Sequence, residues 1–325
     1  MTRVPLLDIQ NLKVDFATRD GTVHAIENVS FQLARGETLG LVGESGSGKS
    51  VSAYAVMRLL GASARVSADR MVSGGMDLLT ASDAEVAGMR GKHMTMIFQN
   101  ARSALNPIRS IGEQIADVLR THRAMPRREA RKAAVEALAE VRIPDPERRY
   151  HAYPFELSGG MCQRVMIALA FASEPELLIA DEPTTGLDVT TQAVIMDLIR
   201  LKSSQRRMST ILITHDLTLA AEYCDRFAVM HAGHIVEQGS TADIFDNAAH
   251  PYTGLLMKAT PHGASSLSDL AAIPGSLPDL RLDLPPCRFV SRCPQSTPAC
   301  AAALPRVALD ANHEVACHMP WKESA

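Results

Sequence analysis

Residues 43–50 read Gly43-Glu44-Ser45-Gly46-Ser47-Gly48-Lys49-Ser50 and satisfy every fixed position of the phosphate-loop pattern G-x-x-x-x-G-K-[ST]. No other stretch narrows the choice of fold so far, because the pattern needs a buried strand before it and a helix after it. Both are legible. Glu37 to Val42 (ETLGLV) is apolar enough for a buried strand, and Val51 to Leu60 (VSAYAVMRLL) reads as a helix. The glycines let backbone N–H groups curl around phosphate oxygens, and the helix N-terminus adds its partial positive charge. Lys49 is placed to reach the β- and γ-phosphates of a nucleotide, and Ser50 to offer its hydroxyl to Mg²⁺. The expectation is an α/β chain that binds a nucleoside triphosphate.

The chain has 325 residues, enough for one large domain and a smaller one. At 46% hydrophobic and 21% charged it has the balance of a soluble globular protein. A net charge of −3 argues against a nucleic-acid partner held by bulk electrostatics. No apolar run approaches the ~18 residues of a membrane-spanning helix. The opening Met1-Thr2-Arg3-Val4-Pro5 leads into acidic and polar residues and not into an apolar signal core, so an intracellular chain is expected. In that compartment the six cysteines are not expected to form disulfides.

Residues 6–16 (LLDIQNLKVDF) alternate like a half-buried strand, Val23 to Leu33 reads as another, and Asp20-Gly21 marks the turn between them. Early antiparallel strands can fold over a nucleotide base, which makes Phe16 a candidate to stack on it; a core aromatic is the equal alternative. Met94 to Phe98 is a short strand-like run ending at Gln99. From about Pro107 to Arg164 the texture turns helical. Pro126 opens Arg127 to Val141, with Ala130, Ala134, Leu138 and Val141 on one face, as in a helical insertion. Leu157-Ser158-Gly159-Gly160-Met161-Cys162-Gln163 then leads into a helix whose start presents free N–H groups to an anion. Leu177 to Asp181 is a buried strand followed by Glu182. An acid at such a strand end sits where Mg²⁺ can neutralise it, and a second acid could orient and deprotonate an attacking water. After Thr184-Thr185-Gly186-Leu187-Asp188 comes a helix, and then a strand, Ser209 to Thr214, ending at His215. His215 is thus another polar residue at the strand edge where α/β sheets bind ligands.

Residues 259–286 are rich in Pro, Gly, Ser and Leu and read as a linker. Cys287, Cys293, Cys300 and Cys317 follow, with five, six and sixteen residues between them. Four clustered cysteines favour a shared ligand. Zinc sites generally use two short C-x₂₋₄-C hooks, and none is present. The wider spacing suits a loop around a larger cubane held by thiolates alone, while His318 keeps zinc as the alternative. Cys162 and Cys224 fall in predicted helix and read as core residues.

Taken in order, these residues resemble the ATP-binding subunit of ABC transporters over about residues 6–260. Walker A lies at 43–50, the Q-loop at Gln99, the signature at Leu157–Gln163, Walker B at Ile179–Glu182, the D-loop at Gly186–Asp188 and the H-loop at His215. Ser103-Ala104-Leu105-Asn106-Pro107, His250-Pro251-Tyr252-Thr253 and the cysteine tail are similar to the oligopeptide/dipeptide importer branch. The usual Asp-Pro after the Q-loop glutamine is replaced here by Asn100-Ala101-Arg102.

The resemblance implies a P-loop NTPase of the ABC type with an antiparallel β subdomain, a helical subdomain at about 100–170 and a small irregular cysteine-rich C-terminal extension. The nucleotide-binding domain would span 1–260, with linker and extension over 261–325. It implies that ATP is bound by Gly43, Glu44, Ser45, Gly46, Ser47, Gly48, Lys49 and Ser50, with Phe16 at the base. Ser50, Gln99 and Asp181 would hold Mg²⁺, Glu182 would be the base, and His215 would hold the γ-phosphate. Leu157, Ser158, Gly159, Gly160 and Gln163 would serve ATP gripped by a second subunit, beside Asp188 of the D-loop. A [4Fe–4S] cluster on the four tail cysteines is implied as well. The implied partners are a second, different ABC ATPase subunit, two transmembrane permeases and an extracytoplasmic substrate-binding protein, and no nucleic acid. The implied place is the cytoplasmic face of the inner membrane. The implied function is ATP hydrolysis that drives import of di- or oligopeptides. Nickel chelates, opines or glutathione as cargo, or a soluble non-transport ATPase, are the alternatives.

Overall fold

The computed structural model describes residues 4–260 and 272–321. Residues 261–271 of the expected linker lie outside the described residues. The chain divides into two compact units, residues 1–81 with 212–325, and residues 82–211.

The first unit opens with a long antiparallel ribbon, Leu7–Thr18 against Gly21–Leu33, with Leu7 opposite Leu33 and Thr18 opposite Gly21. Alternation puts Leu7, Ile9, Leu12 and Val14 inside, all at most 1% exposed. Register shifts between Ile9 and Asp15 keep that face buried as the ribbon twists. Short strands at Ala64–Ser67, Arg70–Ser73 and Met76–Asp77 extend the sheet. A second layer in the same unit pairs Thr38–Val42 in parallel with Arg226–His231, which turns through Ala232-Gly233 into the antiparallel strand His234–Ser240. Strands buried on both sides read as unbroken apolar runs, as Leu39, Leu41, Val42 and Phe227 to Met230 do.

The helix after the phosphate loop runs Lys49–Val56, four residues shorter than the expected end at Leu60. Arg58 takes a left-handed backbone with φ 48, and its guanidinium donates to the carbonyls of Leu78 and Ala81. That tertiary tie ends the helix where propensity alone would have carried it on.

The cysteine-bearing segment folds as part of this unit. Glu314–Val315 pairs antiparallel with His234–Ser240, placing Glu237 opposite Val315, and Val307–Ala308 pairs with it on the outer side. Two arginines anchor the segment. Arg288 donates to the carbonyls of His24 and Ala232 and pairs with Glu27, and Arg292 pairs with Glu44. Phe289 between them is 1% exposed.

The second unit sets the parallel pair Met94–Ile97 and Leu177–Asp181 beside a group of helices. Ile111–Arg123 is capped by Ser110, and Arg127–Glu140 starts after Pro126, with Ala130, Ala134 and Leu138 fully buried. Gly159–Ala172 and Val189–Arg206 flank the strand that carries Asp181. Ser209–Thr214 runs across the division between the units.

Candidate functional site

In the first unit the phosphate loop is a closed nest. The Lys49 ammonium, 5% exposed, folds onto the loop, donating to the carbonyls of Gly43 at 2.8 Å and Glu44 at 2.9 Å. Gly43 and Gly48 are required as glycines. Both have positive φ, at +144 and +106, and a Cβ would lie 2.1 Å from the Met230 carbonyl oxygen at Gly43 and 2.6 Å from Ile26 Cδ1 at Gly48. Gly48, in the left-handed region, is the N-cap of the following helix and supplies no side-chain cap. Ser47 is fully buried, and Ser45 and Gly46 are exposed at the loop's tip. Phe16, half-buried, lies opposite Val23 and Ala64 in the antiparallel sheet. His215 follows the strand Ser209–Thr214 and is exposed.

The second unit brings the hydrolytic candidates together. Asp181 closes its strand at 1% exposure, and Glu182 takes a left-handed backbone with φ 46. A glutamate rarely holds that conformation, and strain of this kind collects where a side chain must be aimed. Two donors fix the Glu182 carboxylate: Gln99 Nε2 and Thr185 Oγ1, each 2.8 Å from Oε2. Neutral donors orient the carboxylate without neutralising its charge, as a general base requires.

Around Leu157–Gln163 the roles divide. Ser158 is exposed and caps the helix Gly159–Ala172 by accepting from the Met161 N–H. Gly159 has open space around it, and Gly160 lies beside Leu187 and Thr191. Leu157 is buried, with its carbonyl accepting from Arg102. Gln163 is 4% exposed and donates to the Pro183 carbonyl at 2.6 Å, which braces the segment after Glu182. Asp188 caps the next helix through the N–H and hydroxyl of Thr191. Cys162 is buried in its helix; Cys224 is buried one position past the helix Leu217–Tyr223, where burial pushes its thiol well up.

Cys287, Cys293, Cys300 and Cys317 line one small cavity, with Phe289 and His318 among its other walls. None is in a disulfide. Burial pushes the Cys287 thiol up to about 11 and raises Cys293 and Cys317. Against that, the amides of Phe289, Gln295 and Met319, each two residues on, hydrogen-bond the sulfurs of Cys287, Cys293 and Cys317. Apolar burial with N–H donors aimed at sulfur is a setting for thiolates that a metal group neutralises. A single zinc ion, with Zn–S near 2.3 Å, would draw its thiolates to about 3.8 Å from one another. Among the described residues no three of these sulfurs fall within 4.8 Å of each other; the one trio that does is Asp243, Asp310 and His313. There Asp243 is already engaged by Ser240, Asp310 by two backbone amides, and His313 Nε2 by Glu237. His318 hydrogen-bonds the Ala302 carbonyl at 3.4 Å.

Three residues reach the phosphate loop with no sequence signal that places them there, although Tyr252 lies in the His250–Thr253 stretch. The Tyr252 hydroxyl accepts from the Glu44 N–H at 2.9 Å, and Arg292 grips the Glu44 carboxylate. His231 backs Arg292. They approach Glu44 from positions about 190 to 250 residues later, where no spacing rule reaches.

A phosphate nest, a strand-end carboxylate pair and a serine-glycine turn capping a helix define an ABC-type ATPase. The model of the ABC transporter family matches residues 26–185, and that of the oligopeptide/dipeptide transporter C-terminal region matches residues 236–300. A Brucella abortus (strain 2308) protein is 47% identical over 98% of this chain and 97% of its own length. The dipeptide transport ATP-binding protein DppD of Haemophilus influenzae is 44% identical over 98% of this chain and 96% of its own. Among solved structures, the ATP-binding cassette MJ0796 in a dimeric post-hydrolysis state with ADP and Pi superposes with a TM-score of 0.66 at 26% identity, covering 72% of this chain and 98% of that one. The chain belongs to the ABC transporter ATP-binding proteins that carry the oligopeptide/dipeptide transporter C-terminal region, and it is an ATPase.

Proposed function

We propose that this ATPase energises import of di- or oligopeptides through a membrane complex. The carrying observation is the likeness, over nearly the whole of both chains, to a dipeptide transport ATP-binding protein, in a chain that has a side chain at every hydrolytic position. In the first unit, the loop Gly43–Ser50 holds the nucleotide phosphates, Phe16 stacks on the base, and His215 holds the γ-phosphate. In the second unit, Glu182 takes the proton of the attacking water, aimed by Gln99 and Thr185. Mg²⁺, assigned to Ser50, Gln99 and Asp181, neutralises charge on the phosphates when bound. Leu157 and Gln163 brace the turn that carries Ser158, Gly159 and Gly160, which serve the ATP of a second ATPase subunit, with Asp188 alongside. The solved dimer of MJ0796 supports that pairing.

The second subunit is a different ABC ATPase, two permeases cross the membrane, and a substrate-binding protein delivers cargo outside. No helix among the described residues is long and apolar enough to cross a membrane, in keeping with a peripheral subunit on the cytoplasmic face of the inner membrane. Nucleotide binding and hydrolysis belong to residues 1–260. The extension after residue 260 holds a [4Fe–4S] cluster through Cys287, Cys293, Cys300 and Cys317. Four cysteines sharing one cavity and the N–H···S bonds to three of them support a group held by thiolates. When bound, a cluster ties four chain positions together and supplies a one-electron couple.

Reconstituted with its permeases, the Glu182→Gln subunit should bind ATP and fail to drive peptide uptake. Uptake at the wild-type rate would remove Glu182 from the role, and a complex that moves only nickel chelates would reassign the cargo. Iron and sulfide in equal amounts in anaerobically purified protein support the cluster; stoichiometric zinc without iron overturns it.

A further inference from the structure

We propose that Arg292, in the cysteine-bearing extension, is a positioning residue for the nucleotide, holding the phosphate loop through Glu44 and so linking the cysteine pocket to ATP affinity. The proposal rests on the reading of residues 43–50 as the ATP site.

Arg292 is built for one geometry. Its side chain is 3% exposed. Nη1 and Nη2 donate to the two carboxylate oxygens of Glu44 at 2.8 and 2.9 Å, a fork that a lysine could not reproduce. Nε donates to the Pro274 carbonyl at 2.7 Å, and Nη1 also meets His231 Nε2 at 3.1 Å. Burial, and then the charge of Arg292, push His231 down to about 3, so the imidazole is neutral at ordinary pH. Because arginine can only donate, His231 Nε2 is the acceptor and Nδ1 carries the proton.

Glu44 is therefore held twice, by its carboxylate on Arg292 and by its amide on the Tyr252 hydroxyl. Its carbonyl in turn receives the Lys49 ammonium at 2.9 Å. Any shift of Glu44 moves the group on which the phosphate-binding lysine rests.

At its other end Arg292 borders the cysteine pocket. Cys293 is the next residue. Phe289, a wall of that cavity, lies edge-on to the His231 ring at 5.1 Å and has the guanidinium 5.7 Å from its centroid. The segment leading to the pocket also reaches the loop's tip, where a Cβ on Gly46 would lie 3.3 Å from Leu277 Cδ1. One rigid chain of contacts thus runs from Cys293 through Arg292 and Glu44 to Lys49. A coupling of this kind is reciprocal: whatever loosens the pocket weakens nucleotide binding, and nucleotide binding tightens the pocket.

The test is equilibrium binding of a fluorescent non-hydrolysable ATP analogue, with Mg²⁺, to the full chain. Arg292→Met and Glu44→Gln are each expected to weaken binding about tenfold, and the double variant no more than the worse single. Cys293→Ser should weaken binding in the wild-type background and have no further effect in Glu44→Gln. Wild-type affinity in both single variants, additive losses, or a Cys293→Ser effect of equal size in both backgrounds would overturn the proposal. If Arg292→Met fails to fold, Glu44→Gln still decides, since it leaves the arginine's bonds to Pro274 and His231 in place. Lys49→Ala separates the two readings. If wild type does not bind the analogue, the ATP site itself is wrong. If Lys49→Ala alone loses binding, only the role of Arg292 is wrong.

Discussion

The phosphate loop and the cysteine pocket lie in the same unit, yet they are made in opposite ways. The loop is eight consecutive residues shaped by glycines at positive φ and closed by a lysine six residues from its first glycine. The pocket gathers four side chains from a stretch of 31 residues, Cys287 to Cys317, with little regular structure between them. It is held by arginines reaching back to Glu27 and Glu44 and by strand pairing at Val315. A site made of backbone can be written into one short peptide. A site made of distant side chains needs the rest of the fold to bring them together, and Arg292 is where the second kind of site leans on the first.

The comparison can be broken most forcefully at the loop. Lys49→Ala should lower ATP affinity by on the order of 100-fold, and Glu182→Gln should lower turnover by on the order of 100- to 10,000-fold with ATP binding retained, read by nucleotide titration and phosphate release. Gly43→Ala comes next. With its Cβ 2.1 Å from the Met230 oxygen, it should destabilise the first unit by about 2–4 kcal/mol, visible as a lowered denaturant midpoint.

At the pocket, where the proposed cluster would sit, Cys300→Ser is expected to lose any iron that wild type carries and to lower the melting temperature by several degrees while leaving the loop's own contacts in place. Iron retained at the wild-type level would mean that Cys300 is not a ligand.

The smallest effect is a pH dependence at the extension's anchor. His234, 3.7 Å away, and Arg288 hold Glu27 well below its ordinary value of 4.5, at about 2. A depressed carboxylate stabilises the fold fully above pH 4.5 and loses that contribution as pH falls toward 2. Glu27→Gln should therefore be less stable than wild type near pH 6, with the gap closing between pH 4.5 and 2. A gap that does not change with pH would mean that Glu27 acts by packing alone.

Much of the frame was readable before any coordinates. The ribbon pair on either side of Asp20-Gly21, the strand before the loop, the buried face of Arg127–Glu140 and the strand ending at Asp181 all follow from period and punctuation. The helix after the loop ends four residues before the Leu60 its sequence suggests. Its end depends on Arg58 finding the carbonyls of Leu78 and Ala81, which local propensity does not encode. The Q-loop glutamine and Walker B glutamate were each named from sequence, but their hydrogen bond, and the left-handed turn that aims Glu182, were not. Gln163 belongs to the recognised signature, yet its burial against the Pro183 carbonyl shows a bracing part that the motif alone does not reveal.

By itself the sequence determined that this chain carries a phosphate nest and the strand-end acids of an ABC ATPase. Those features are short-range: a φ that only glycine takes easily, an apolar run that must be buried, a carboxylate at its end. Only the tertiary structure decided that Tyr252, His231 and Arg292 converge on Glu44, or that four cysteines share one cavity with amides pointed at their sulfurs. Such contacts join residues up to 248 positions apart. They form only when the chain's packing has already fixed where each backbone runs.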